Sequence, residues 1–127
     1  MIRALLPFVS VGALAALVHY LVALSAFYID KNFSASTSNW IGFFFAFPVS
    51  YFGHRHWTFK ASQVAHVSAF FKFFIVALIG FLGNQGLLWL LLHYTTCPFW
   101  LSLALVMVIV AVSTYVLSKS WVFAHGK

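Results

Sequence analysis

Two cations stand at matched places in this chain. Arg55 follows Tyr51 by four residues and precedes Trp57 by two, and Lys119 stands in the same relation to Tyr115 and Trp121. The guanidinium of Arg55 is a planar fork that can hold two phosphate oxygens at once, whereas the ammonium of Lys119 is a compact point charge. Tyr51 and Tyr115 fall one helical turn earlier on the same face, where a phenol can donate to the same phosphate. Together the four side chains suit the head group of a phosphorylated lipid. A plainer account makes the two cations snorkelling anchors at the membrane boundary, with the tryptophans beside them at head-group level. The matched phenols put the phosphate account level with the anchor account.

His19, Asn84 and Gln85 form a second polar set, inside apolar segments. Such groups are costly in lipid and need partners or a wet cavity. At about 1.5 Å per residue, His19 lies about 22 Å along the first segment and Asn84 about 21 Å along the third, which predicts similar depth. Gly80, Gly83 and Gly86 flank Asn84 and Gln85 and are expected to let a neighbouring helix approach closely. Two readings stay open: polar glue between helices, or the lining of a passage for a head group.

Other chemistries find little support. His54 and His56 are two residues apart, so on a helix they point to different faces, and no carboxylate or second thiol is near enough in sequence to complete a metal site. Cys97 is the single cysteine, which excludes an internal disulfide. Asp30 is the single acid and falls on the side opposite most of the cations, so no acid–base pair is available to a reaction there. No glycine-rich phosphate loop is present. The chain is expected to be no enzyme and to use no cofactor. A pI of about 9.8 could suggest nucleic acid, but the cations sit at the ends of apolar runs, so that partner is not expected.

The elements that position these residues follow from composition. A chain of 127 residues that is 64% hydrophobic and 6% charged cannot enclose its apolar surface and needs lipid as solvent. Uncharged apolar runs predict an all-α membrane protein, a single domain over residues 1–127, with transmembrane helices at about 4–29, 39–59, 69–92 and 98–123. The first run is about 26 residues, about 39 Å of helix, longer than a signal-peptide core, which favours a retained span over a cleaved leader. Asp30 to Ser38 reads as a polar loop, with Thr37 or Ser38 capping the second helix. Pro48 removes a backbone donor and predicts a kink near Ala46 to Pro48. Arg3, Arg55, Lys60, Lys72, Lys119 and Lys127 all fall on one side of this arrangement and only Lys31 on the other. The positive-inside rule then puts both termini and the middle loop in the cytoplasm.

The matched series extends beyond the cations. Ser50-Tyr51, Arg55, Trp57 and Phe59 align without gaps on Thr114-Tyr115, Lys119, Trp121 and Phe123, at an offset of 64 residues throughout. This predicts a helical hairpin written twice, its copies related by an axis roughly along the membrane normal. The stretches Pro7 to Gly12 (PFVSVG), Ser50 to Phe59 (SYFGHRHWTF), Phe70 to Phe74 (FFKFF) and Ser118 to Phe123 (SKSWVF) resemble the GtrA-like family of small four-span bacterial membrane proteins. The resemblance covers nearly the whole chain. Many members carry Asn and Asp in the first helix where this chain has Ala15 and His19, which leaves the sugar and the role of His19 open.

The resemblance implies a part in cell-surface polysaccharide synthesis at the bacterial inner membrane. The implied ligand is a polyprenyl-phosphate-linked sugar, whose tail can stay with the membrane lipid while only sugar and phosphate need a polar path. In that picture Arg55, Lys119, Tyr51 and Tyr115 collect the phosphate, and His19, Asn84 and Gln85 line the passage. Four short helices enclose little space, so a homo-oligomer, dimer or larger, or pairing with a membrane glycosyltransferase is expected. The alternative is an adaptor that recruits or orients the glycosyltransferase without moving anything. Export of small cations is disfavoured, because the spans hold no carboxylate to exchange charge.

Overall fold

Four α-helices follow one another: α1 (Ile2–Ile29), α2 (Ala35–Gly53), α3 (His66–Tyr94) and α4 (Phe99–Val122). The computed structural model describes residues 2–58 and 66–122 of the chain, with the side chains of residues 6–57, 67 and 70–113. Phe59, Lys60, Phe123 and Lys127 lie outside the described residues. α1 over Leu6–Ile29 and α3 over Phe70–Tyr94 are long and apolar enough to cross a membrane. α2 is 19 residues long and opens on Ser36, Thr37, Ser38 and Asn39, which lower its hydropathy. The described part of α4 is apolar over the shorter stretch Phe99–Ser113.

The start of α2 differs from expectation. Asp30 closes a tight turn after α1, its carboxylate accepting from the Asn32 amide at 2.9 Å and its carbonyl from the Phe33 amide at 3.2 Å. The chain has therefore already reversed at Ser34. Ser34 has extended backbone (φ −70°, ψ 166°), and its Oγ accepts from the Thr37 amide at 3.1 Å. Ser34, and not Thr37 or Ser38, is the cap, so the helix gains a first turn that apolarity alone does not reveal. α2 then runs unbroken past Pro48 to Gly53 and passes into a π-helical turn, His54–Thr58.

The chain divides into two compact units, Met1–Phe81 and Leu82–Lys127. The division falls inside α3, not in the connection between the matched halves. In the first unit α1 and α2 pack closely and run antiparallel, because Gly42 meets His19 and Ala23 while the later Gly53 meets the earlier Val11. A Cβ at Gly42 would lie 2.6 Å from the His19 carbonyl oxygen, and one at Gly53 would lie 2.7 Å from Val11 Cγ1. These are the glycines that admit a neighbouring helix. Gly80, Gly83 and Gly86, expected to do so, would each carry a Cβ into open space. They lie on an exposed face of α3, where no described residue of this chain approaches them.

The core of the first unit is aromatic. Phe43, Phe47 and Tyr51 from α2 and Phe81 from α3 are buried together, with Trp40, Phe73, Phe74, Ala77 and Leu78 packed around them. Phe43 stacks on Phe81 with centroids 4.5 Å apart, and Phe47 meets Phe74 edge to face at 5.3 Å. In lipid, such contacts gain from dispersion and ring electrostatics more than from leaving water, at about 0.5–1.5 kcal/mol per ring pair beyond area. The outward faces stay apolar, as Leu14, Leu17 and Leu21 on α1 and Phe44 and Phe45 on α2 illustrate.

In the second unit Asn84 and Leu88 are buried on α3, and Phe99, Ser102, Leu103 and Val106 on α4. The α4 set recurs at helical spacing and marks one inward face. Thr95 ends α3 by accepting from the Cys97 amide at 3.3 Å, while its own hydroxyl donates to the Leu91 carbonyl. Ser102 Oγ ties the next helix to the turn by donating to the Cys97 carbonyl at 3.2 Å.

Candidate lipid head-group site

The α1–α2 seam holds a buried polar core. His19 donates from Nε2 to Oδ1 of Asn39 at 2.7 Å, and both residues are buried. The imidazole also lies 5.8 Å from the Phe81 ring. Gly42, one turn beyond Asn39, lets the α2 backbone close on the His19 main chain, which keeps the two polar groups within reach. Ser38 beside Asn39 is fully buried, and its Oγ has no hydrogen-bond partner among the described residues. A hydroxyl in that state costs about 1–3 kcal/mol.

His19 was expected inside the membrane with a polar partner. Its partner, Asn39, was not in the expected set, because a span taken to start at Asn39 puts that side chain at the boundary. With the helix beginning at Ala35, Asn39 falls in the second turn and faces α1. The signal that could have found it is the run of hydroxyl residues from Ser34, a stronger helix start than the onset of apolarity.

The second feature is the end of α2. The His54 amide is shared between the Ser50 and Tyr51 carbonyls, where the α-helix gives way to the wider π turn. Gly53 presses on Val11, and the buried His54 ring sits 5.0 Å from Phe8 on α1 and 5.9 Å from Phe73 on α3. The turn is thus held from both sides. Arg55 follows directly and is half-buried; His56 is exposed and stacks on Phe52 with centroids 6.1 Å apart and planes 8° from parallel. Tyr51 is only 4% exposed, its ring against Phe47, Phe70 and Phe73. It anchors α2 on α3 as well as standing one turn before Arg55.

Asn84 is buried and Gln85 half-buried on α3, in the second unit. Tyr115 and Lys119 belong to α4, and their side chains lie outside the described residues. Among the described residues, no group of His, Cys, Asp and Glu could hold a metal ion.

Residues 7–123 match the family model described as GtrA/DPMS, transmembrane domain. The chain belongs to this family. Neither the curated proteins nor the solved structures contain a match. Membership in the GtrA/DPMS family makes the chain a multi-pass membrane protein, linked to glycan modification of the cell surface, in a family whose members are in general not catalytic. The match runs from Pro7, just before Phe8 that touches His54, through the full length of α2 and α3 to the end of α4. Both the His19–Asn39 seam and the Arg55 turn fall inside the GtrA/DPMS domain.

Proposed function

We propose that the protein moves a polyprenyl-phosphate-linked sugar across the bacterial inner membrane, taking hold of the phosphate with Arg55 at the end of α2. The observation that carries this reading is the setting of Arg55. It is a half-buried arginine on a π-helical turn whose His54 sits between Phe8 and Phe73, at the end of a helix of a membrane family linked to surface glycans. A π turn inside a helix frequently accompanies function, and a guanidinium held in one place binds phosphate better than one on a free tether. Lys119 does the corresponding work at the end of α4, with Tyr51 and Tyr115 as the phenols one turn before each cation.

His19, Asn39 and Ser38 supply polar groups on the seam between α1 and α2, and Asn84 and Gln85 supply them on α3. Both termini and the α2–α3 connection face the cytoplasm, where the cations meet the phosphate of newly made lipid-linked sugar. Movement is downhill, driven by synthesis on one side and consumption on the other. A homo-oligomer, or pairing with a membrane glycosyltransferase, completes the enclosure.

The experiment is Arg55→Ala in cells that need the protein for a surface glycan, with membrane abundance held at the wild-type level. A carrier loses the modification. An adaptor that only recruits a glycosyltransferase keeps it, and that outcome would replace the present reading.

A further inference from the structure

We propose that the cleft between the last turn of α2 and the first turns of α3 seats the chain carbons next to the phosphate of an anionic lipid. This inference rests on the head-group reading of Arg55 and adds to it the place of the tail. The cleft is a shallow, open groove with room for about 280 Å³, lined by Tyr51, Phe52, Val67, Phe70 and Phe71. Small-molecule sites usually run from about 300 Å³ upward, so this one takes a short segment of chain and not a whole lipid.

The inner side of the cleft is continuous with the aromatic core. The buried Tyr51 ring forms its floor, and Phe70 stands edge-on to Tyr51 at 5.2 Å and to Phe71 at 5.8 Å. Bulk lipid would bathe any apolar face, but perpendicular rings from two helices, the Tyr51 ring buried behind them, form a corner in which a chain segment can lie. A preformed site loses less on binding than one that must be ordered.

Charge selects the occupant. Arg55 lies one turn beyond Tyr51, the exposed Lys72 directly follows Phe71, and His56 stacks on Phe52. The single acid, Asp30, is in the turn at the far end of α2. The helix turns that form the slot also carry Arg55 and Lys72 and no carboxylate, which fits a molecule whose chain ends in an anion. A second copy of this chain would bring the same cations against these and be repelled. A free phosphate would gain nothing from the aromatic walls.

The test uses the full-length protein purified in a neutral detergent, which supplies uncharged chains in excess. Farnesyl phosphate and inorganic phosphate are the probes, and binding is read by native mass spectrometry with calorimetry. Phe71→Ala opens one wall and Val67→Trp fills the slot; both wild-type side chains are exposed, so neither change disturbs the buried cluster. Each variant is expected to weaken farnesyl phosphate at least about fivefold while leaving inorganic phosphate unchanged. Arg55→Ala is expected to weaken both probes. If both cleft variants bind farnesyl phosphate as the wild type does while Arg55→Ala loses it, the tail site is overturned and the head-group reading stands. If Arg55→Ala changes neither probe, the head-group reading itself fails.

Discussion

His19 and Asn39 meet side chain to side chain across the α1–α2 seam, Nε2 to Oδ1 at 2.7 Å, both of them buried. Removing His19 takes from Asn39 the Nε2 donor, and removing Asn39 takes from the buried imidazole its Oδ1 acceptor. His19→Ala or Asn39→Ala is therefore expected to lower stability by about 1–3 kcal/mol. The coupling from a double-mutant cycle should be smaller, about 0.5–2 kcal/mol, because an unfolded chain in a membrane or micelle finds other polar partners. Unfolding in detergent measured for the wild type, both single variants and the double variant checks both values.

Glycine gives a contrast within one molecule. Gly42→Ala places a methyl 2.6 Å from the His19 carbonyl oxygen, a backbone atom that cannot step aside alone. Thermal unfolding should show a loss of about 1–3 kcal/mol, as for other overpacked sites. Gly80→Ala, Gly83→Ala and Gly86→Ala each add a methyl to open space, and each should be neutral or gain about 0.5–1 kcal/mol from helix propensity.

Ser38 makes a third case, in which stability and function part. Ser38→Ala deletes a buried hydroxyl that has no partner among the described residues, so the folded protein should be unchanged or more stable by about 1 kcal/mol. Ser38 is fully buried in the seam, so transport is expected to hold in the same variant while the unfolding midpoint holds or rises. Paired unfolding and transport measurements on one preparation separate the two effects.

Much of this was legible in the sequence, and the losses have physical causes. The long apolar runs announce α1 and α3, since only a helix satisfies its own backbone in lipid. The family was readable from the Arg55 and Lys119 ends, because an aromatic and a cation at fixed spacing survive apolar low complexity. The start of α2 was missed because apolarity marks where lipid begins, whereas Ser34 marks where the helix begins. Asn39 was missed as a consequence. The close contacts at Gly42 and Gly53 were not foreseen because spacing reports small residues and cannot report what faces them. The π turn at His54 has no simple sequence signature; it coincides with the close approach of Gly53 to Val11 and the seating of His54 between two phenylalanines.

The most direct measurement of the central claim is reconstitution of the purified protein into liposomes carrying a labelled polyprenyl-phosphate-linked sugar, with the accessible fraction of head groups followed over time. The wild-type protein is expected to move the lipid well above protein-free vesicles, and Arg55→Ala to slow it by about 10- to 100-fold, as loss of one charge-assisted phosphate contact implies. A wild-type rate equal to that of empty vesicles, from protein that is folded and inserted, would contradict the account.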